Sequence, residues 1–204
     1  MQKLFSSEEK QMLINDLILD IDVFFPRMCP PKDMGLAAYG RGDDWGAEKV
    51  NSTLSKPWYE INMDDISALG DDVRFHTRPK AFLYFLPIFL KTYLTTKDFG
   101  WFEETLLPVV KGYEDVIQQF SGGILCESEY GGGVSFETTW IQYKERVEYL
   151  KENLTPEQSK CVARYIEIAS KYHETTIYLT RMQLLNKWIE FWLSPVLPHD
   201  SQVN

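Results

Sequence analysis

Thr155-Pro156-Glu157-Gln158-Ser159-Lys160-Cys161-Val162-Ala163-Arg164-Tyr165-Ile166 is the stretch whose reading decides the fold class. Thr155 and Gln158, three residues apart, spell a capping box, and Pro156 takes the first helical position, where its missing N–H leaves nothing unpaired. Val162, Tyr165, Ile166, Ala169 and Tyr172 then recur as one apolar stripe. A second stripe follows through Tyr178, Met182, Leu185, Ile189 and Trp192. The two are out of register by about one residue, which predicts a bend or break near His173–Ile177.

The same signals recur towards the amino terminus. Ser6 with Glu9 is a second capping box, and Leu13, Ile14, Leu17, Ile18, Ile21, Phe24 and Phe25 keep helical spacing until Pro26 stops them. A further helix is expected to start at Thr77, with Pro79 in its first turn and Phe82, Phe85, Leu86 and Phe89 buried. Pro87 lies inside that pattern and has to kink the helix or divide it. Trp101–Phe120 reads as helical with an interruption near Pro108, and Phe136–Leu150 as helical through Trp140, Tyr143 and Val147. Glycine clusters on both sides of Ile124-Leu125-Cys126 fit either a short hairpin or an irregular loop. Between residues 27 and 57, Pro30, Pro31, Gly35, Gly40, Gly42 and Gly46 break any long element, so this is expected to be a long irregular loop with a short helix near Ala47–Leu54. The expected fold is all-α, one helical domain over residues 1–204, with room for a small β-hairpin near residues 122–134.

Composition bounds the function. The chain has 204 residues, enough to bury roughly 70% of its unfolded surface without a disulfide or metal staple. Its 6 Trp, 11 Tyr and 12 Phe predict a core of large rings. With 30 acidic against 21 basic residues the net charge is −9, which disfavours nucleic acid and anionic membrane surfaces as partners. The 3 cysteines are an odd number with no Cys-x-x-Cys pair, the usage of a reducing compartment. Met1–Lys10 has Ser6-Ser7-Glu8-Glu9 where a secretory signal needs apolar residues, and the apolar run Ala81–Leu90 is too short to span a bilayer. The chain therefore reads as soluble and cytoplasmic.

Two stretches carry a resemblance. His76-Thr77-Arg78-Pro79-Lys80-Ala81-Phe82-Leu83-Tyr84-Phe85-Leu86-Pro87-Ile88-Phe89-Leu90 resembles the hallmark segment of an uncharacterised bacterial domain family, with its Ala-Phe, aromatic pair and Leu-Pro. Thr155-Pro156-Glu157-Gln158, followed by Tyr165-Ile166, is similar to that family's Leu-Thr-Pro-x-Gln helix start. The resemblance implies a bacterial origin and kinship of fold. It implies no reaction.

No catalytic set, cofactor or metal ligand set is read from the residues. Cys126 and His173 have no spacing that supports a thiolate–imidazole pair, and His76, His173 and His199 are scattered. Gly131-Gly132-Gly133 lacks the Gly-Lys-Ser/Thr of a phosphate loop. Charge placement says more. Between Asp98 and Gln142 eight acids stand against Lys111 alone, a net −7. Such a segment is either a solvated face or a docking surface for a basic protein partner. On the second reading Trp101, Phe102, Glu103, Glu104, Glu127, Glu129 and Tyr130 lie nearest the contact. The expected function is non-catalytic protein binding, most concretely by a bacterial immunity protein that occludes a cognate toxin. The alternatives are an enzyme using the carboxylates Glu127, Glu129 and Glu137, and a regulatory or structural subunit.

Overall fold

A computed structural model describes residues 6–38, 45–70, 72–98, 102, 105–107, 136–172 and 177–195, with the backbone alone for 74–75, 136–143 and 177–184. The elements in order are α1 (Ser7–Phe24), α2 (Trp45–Thr53), a 3₁₀ turn (Trp58–Glu60), α3 (Met63–Leu69), α4 (Asp72–His76), α5 (Pro79–Thr96), α6 (Phe136–Asn153), α7 (Pro156–Ser170) and α8 (Ile177–Leu193). The protein is all-α: no strand occurs among the described residues, and an isolated bridge pairs Ala38 with Thr77. The hairpin considered for 122–134 falls outside the described residues.

Local chemistry starts the helices. At α1, Ser6 Oγ accepts from Glu9 N at 3.1 Å while Ser6 N donates to the Glu9 carboxylate at 2.7 Å. At α7, Thr155 and Gln158 close the same reciprocal box. Each box satisfies amide groups that the first turn leaves without helical partners. α7 ends at Ser170, ahead of the break expected near His173–Ile177, and α8 begins at Ile177; residues 173–176 themselves lie outside the described residues. Inside the expected loop 27–57, α2 occupies Trp45–Thr53. Asn62 caps α3 and Gly70 ends it at φ 52, a backbone angle glycine adopts without a Cβ clash. The acidic first turn Asp64-Asp65 suits the positive end of that helix.

α5 is the element on which the rest is organised: α1, α3, α6 and the 3₁₀ turn all pack against it. It starts at Pro79, two residues later than its expected start at Thr77. The residue before a proline is driven out of helical conformation, and Arg78 is extended at φ −66, ψ 148. Thr77 is meanwhile held elsewhere, paired with Ala38, while Arg78 N donates to Ala37 O at 2.9 Å. Pro87 does not divide the helix, which runs on to Thr96. Phe82, Phe85, Leu86 and Phe89 are fully buried, as the spacing predicts.

Two cations are drawn into the packed interior. Arg146 of α6 is fully buried, donates from Nη2 to Thr77 O at 2.9 Å and lies 4.6 Å from the centroid of the Phe82 ring. Lys151, also buried, donates from Nζ to Trp192 O at 3.0 Å and Ser194 O at 2.5 Å. The last turn of α8 has no base of its own, so Lys151 supplies the positive charge its carbonyl end favours. Burial pushes the Lys151 ammonium below its usual pKa.

Candidate functional site

The acidic segment is rooted in the core. α5 ends at Lys97 in the left-handed region (φ 59), and Asp98 is exposed beyond it. Phe102 then returns inward. Only 3% of it is exposed; it stacks on Tyr93 at 4.5 Å and stands within 5.9 Å of Phe82, Phe89 and Tyr165. Thr105 Oγ1 donates to Phe102 O at 2.7 Å, and the Trp192 indole donates to Leu106 O at 3.0 Å, fastening the next turn to α8.

Phe102 is therefore a core ring, a correction to its expected place on a contact surface. Four aromatic neighbours and the loss of water make burial the better state for a ring whose neighbours in sequence are acidic. Trp101, Glu103, Glu104, Glu127, Glu129 and Tyr130 lie outside the described residues, as do Cys126, His173 and His199. Glu137 is in the first turn of α6, described by its backbone alone. Among the described residues no group of three or more His, Cys, Asp or Glu side chains is placed to hold a metal ion. Nor is any helix among them long and apolar enough to cross a membrane.

The described residues also form a cleft of about 320 Å³. Its floor is one face of α5, carrying Lys80, Leu83, Tyr84 and Pro87 at the spacing that puts side chains on one side of a helix. Phe25, Pro26, Met28 and Pro31, from the chain leaving α1, make one wall with Trp58. Tyr149 and Asn153 of α6 and Gln158 of α7 make the other. The backbone of the first wall is held by side chains. Tyr84 Oη donates to Met28 O at 2.5 Å, Trp58 Nε1 to Pro26 O at 3.4 Å, and Gln158 Nε2 to Phe24 O at 3.0 Å. Burial pushes the Tyr84 phenol up. At the rim Lys80 pairs with the exposed Asp33, whose carboxyl is held below its usual range by the hydrogen bond from that ammonium.

Sequence reasoning found the buried face of α5 but not this one. The signal was present: Lys80, Leu83, Tyr84 and Pro87 repeat at three, one and three residues beside the apolar stripe. The facing residues had no signal, because they come from three separate segments: residues 25–31, Trp58 and the α6–α7 junction. No protein-family model, curated protein or solved structure matches the chain.

Proposed function

We propose that the protein is a non-catalytic protein-binding protein, and most concretely a bacterial immunity protein that neutralises a cognate toxin by occluding it. The observation that carries this reading is the net −7 between Asp98 and Gln142, where eight acids face one lysine. The bacterial setting rests on the resemblance of the 76–90 and 155–166 stretches to the uncharacterised family. A basic partner would be attracted over distance by such a segment, and its orientation set before contact. The burial of Phe102, Leu106 and Leu107 supports the reading in one further respect: it ties the start of the segment to the helical core. With Phe102 in the core, the aromatic anchors left to the proposal are Trp101 and Tyr130, beside Glu103, Glu104, Glu127 and Glu129.

The test uses the product of the neighbouring gene as partner. Reversing Glu103 and Glu104 to lysine is expected to slow association roughly tenfold at low salt, with little change in the melting temperature. An unchanged association rate, or a partner that proves acidic, overturns the proposal.

A further inference from the structure

The cleft has a chemistry of its own, independent of the acidic segment. Most of its polar wall groups are engaged within the fold, the Tyr149 hydroxyl and Asn153 Oδ1 being left to the rim. Tyr84, Trp58 and Gln158 each donate to a backbone carbonyl of residues 24–28, and Asn153 Nδ2 donates to Tyr149 O at 2.8 Å. Gln158 Oε1 accepts from Thr155 N at 3.0 Å. What the interior presents to an occupant is accordingly mostly ring and alkyl carbon, from Phe25, Leu83, Pro87 and the faces of Trp58, Tyr84 and Tyr149. A concave apolar pocket with one or two oriented polar groups is the usual form of a small-molecule site.

Charge selects among such molecules. Lys80 is the one charged side chain among the described residues that line the cleft. Its partner Asp33 has 76% of its side chain exposed, so the pair faces water and exchanges readily with another carboxylate. Gln158, in the first turn of α7, brings the positive end of a 15-residue helix into the same wall. A cationic amphiphile meets the wrong sign at Lys80, and a dianionic phosphate finds one cation where such groups take several donors. The volume of about 320 Å³ lies at the small end of the range of small-ligand pockets. The geometry points to a binding site for a small amphiphilic carboxylate, its apolar body between α5 and the Phe25–Trp58 wall and its head on Lys80 in place of Asp33.

Octanoate is the probe, with octan-1-ol and octylamine as the neutral and cationic counterparts, each titrated into the full chain. Binding is followed by calorimetry and by the NMR signal of the Trp58 indole N–H, which reports the wall directly and is assigned by its loss in Trp58→Phe. Octanoate is expected to bind saturably, to shift that signal, and to bind more tightly than either counterpart. Lys80→Met should weaken octanoate roughly fivefold, the scale of an exposed ion pair, and leave octanol unchanged. Asp33→Asn, a change at an exposed side chain, removes the competitor and should tighten octanoate alone. The proposal is overturned if all three probes bind alike, if octanoate leaves the Trp58 signal unmoved, or if Asp33→Asn has no effect on octanoate affinity.

Discussion

Phe102 joins two parts of the core that its own sequence neighbours would pull apart. Its ring meets Phe82, Phe89 and Tyr93 of α5 and Tyr165 of α7, so truncation leaves a cavity lined by rings from two helices. Phe102→Ala is expected to cost ~3–5 kcal/mol and to lower the melting temperature by roughly 6–20 °C, read by calorimetry. A shift of a degree or less would mean that the ring contributes as a surface group does. The thiols give a second prediction. Cys29 is exposed, whereas Cys161 is 2% exposed and burial, aided by Asp20, pushes its pKa from 9.0 to about 11. At pH 8 iodoacetamide should label Cys29 promptly and Cys161 only after unfolding, because the thiolate is the nucleophile. The sign of the linkage follows. The folded thiol holds its proton more tightly than the unfolded one, so its contribution to stability is intact below pH 9.0 and is lost as the pH rises through about 11. Urea titrations at pH 8 and pH 10.5, with Cys161→Ala as reference, measure that loss.

At the scale of elements, the contact between α2 and α4 shows how two local rules compete. Gly46 lies in the first turn of α2, and a Cβ there would sit 2.6 Å from His76 Nε2, 2.9 Å from its Cδ2 and 3.3 Å from Asp72 Oδ1. Helix propensity favours alanine over glycine by up to ~1 kcal/mol, while forced overlap in a packed contact costs ~1–3 kcal/mol. The imidazole is held on the α4 side of a contact that Lys49 also clamps, donating to Asp72 at 3.0 Å and to Ala68 O at 2.7 Å. Sterics should win. Gly46→Ala is expected to destabilise by about 1–2 kcal/mol in urea unfolding, and a stabilising alanine would show that the ring swings aside without cost. The first turns of these elements also mark the reach of local reading. Caps at Ser6 and Thr155 act over three residues and are legible, and so was the start of α5, since Pro79 bars Arg78 from the helix; what was not legible is the pairing of Thr77 with Ala38, some forty residues away.

For the whole molecule, α1 shows which force holds the assembly. Asp22 accepts from Lys91 of α5 at 2.9 Å, and Asp20 pairs with Arg164 of α7, so ion pairs bind this helix to both neighbours. The apolar side of the same helix buries Ile14, Leu17 and Ile21 to 1% exposure or less. Partly exposed pairs contribute ~0–1 kcal/mol each, whereas each buried aliphatic side chain contributes ~1.5–3 kcal/mol. Asp20→Asn with Asp22→Asn should therefore lower stability by less than about 2 kcal/mol, and by less still in high salt. Leu17→Ala alone should cost ~2–5 kcal/mol. Urea unfolding of both variants at low and high salt checks the order, and a larger loss from the Asn pair would reverse it.

The all-α class, the helix starts at Ser7 and Pro156 and the burial of Phe82, Phe85, Leu86 and Phe89 were decided by the sequence itself. Capping, proline geometry and apolar periodicity act within a few residues, so they can be read along one strand of text. Tertiary structure alone decided that Phe102 turns inward and that the second face of α5 floors a cleft. That cleft exists only where residues 25–31, Trp58, α5 and the α6–α7 junction meet. Their convergence depends on long-range packing of apolar faces, which composition and spacing state for each face but not for its partner. Charge follows the same division: the sequence counts the acids of α1 and of the segment after α5, and the fold decides which of them finds a base.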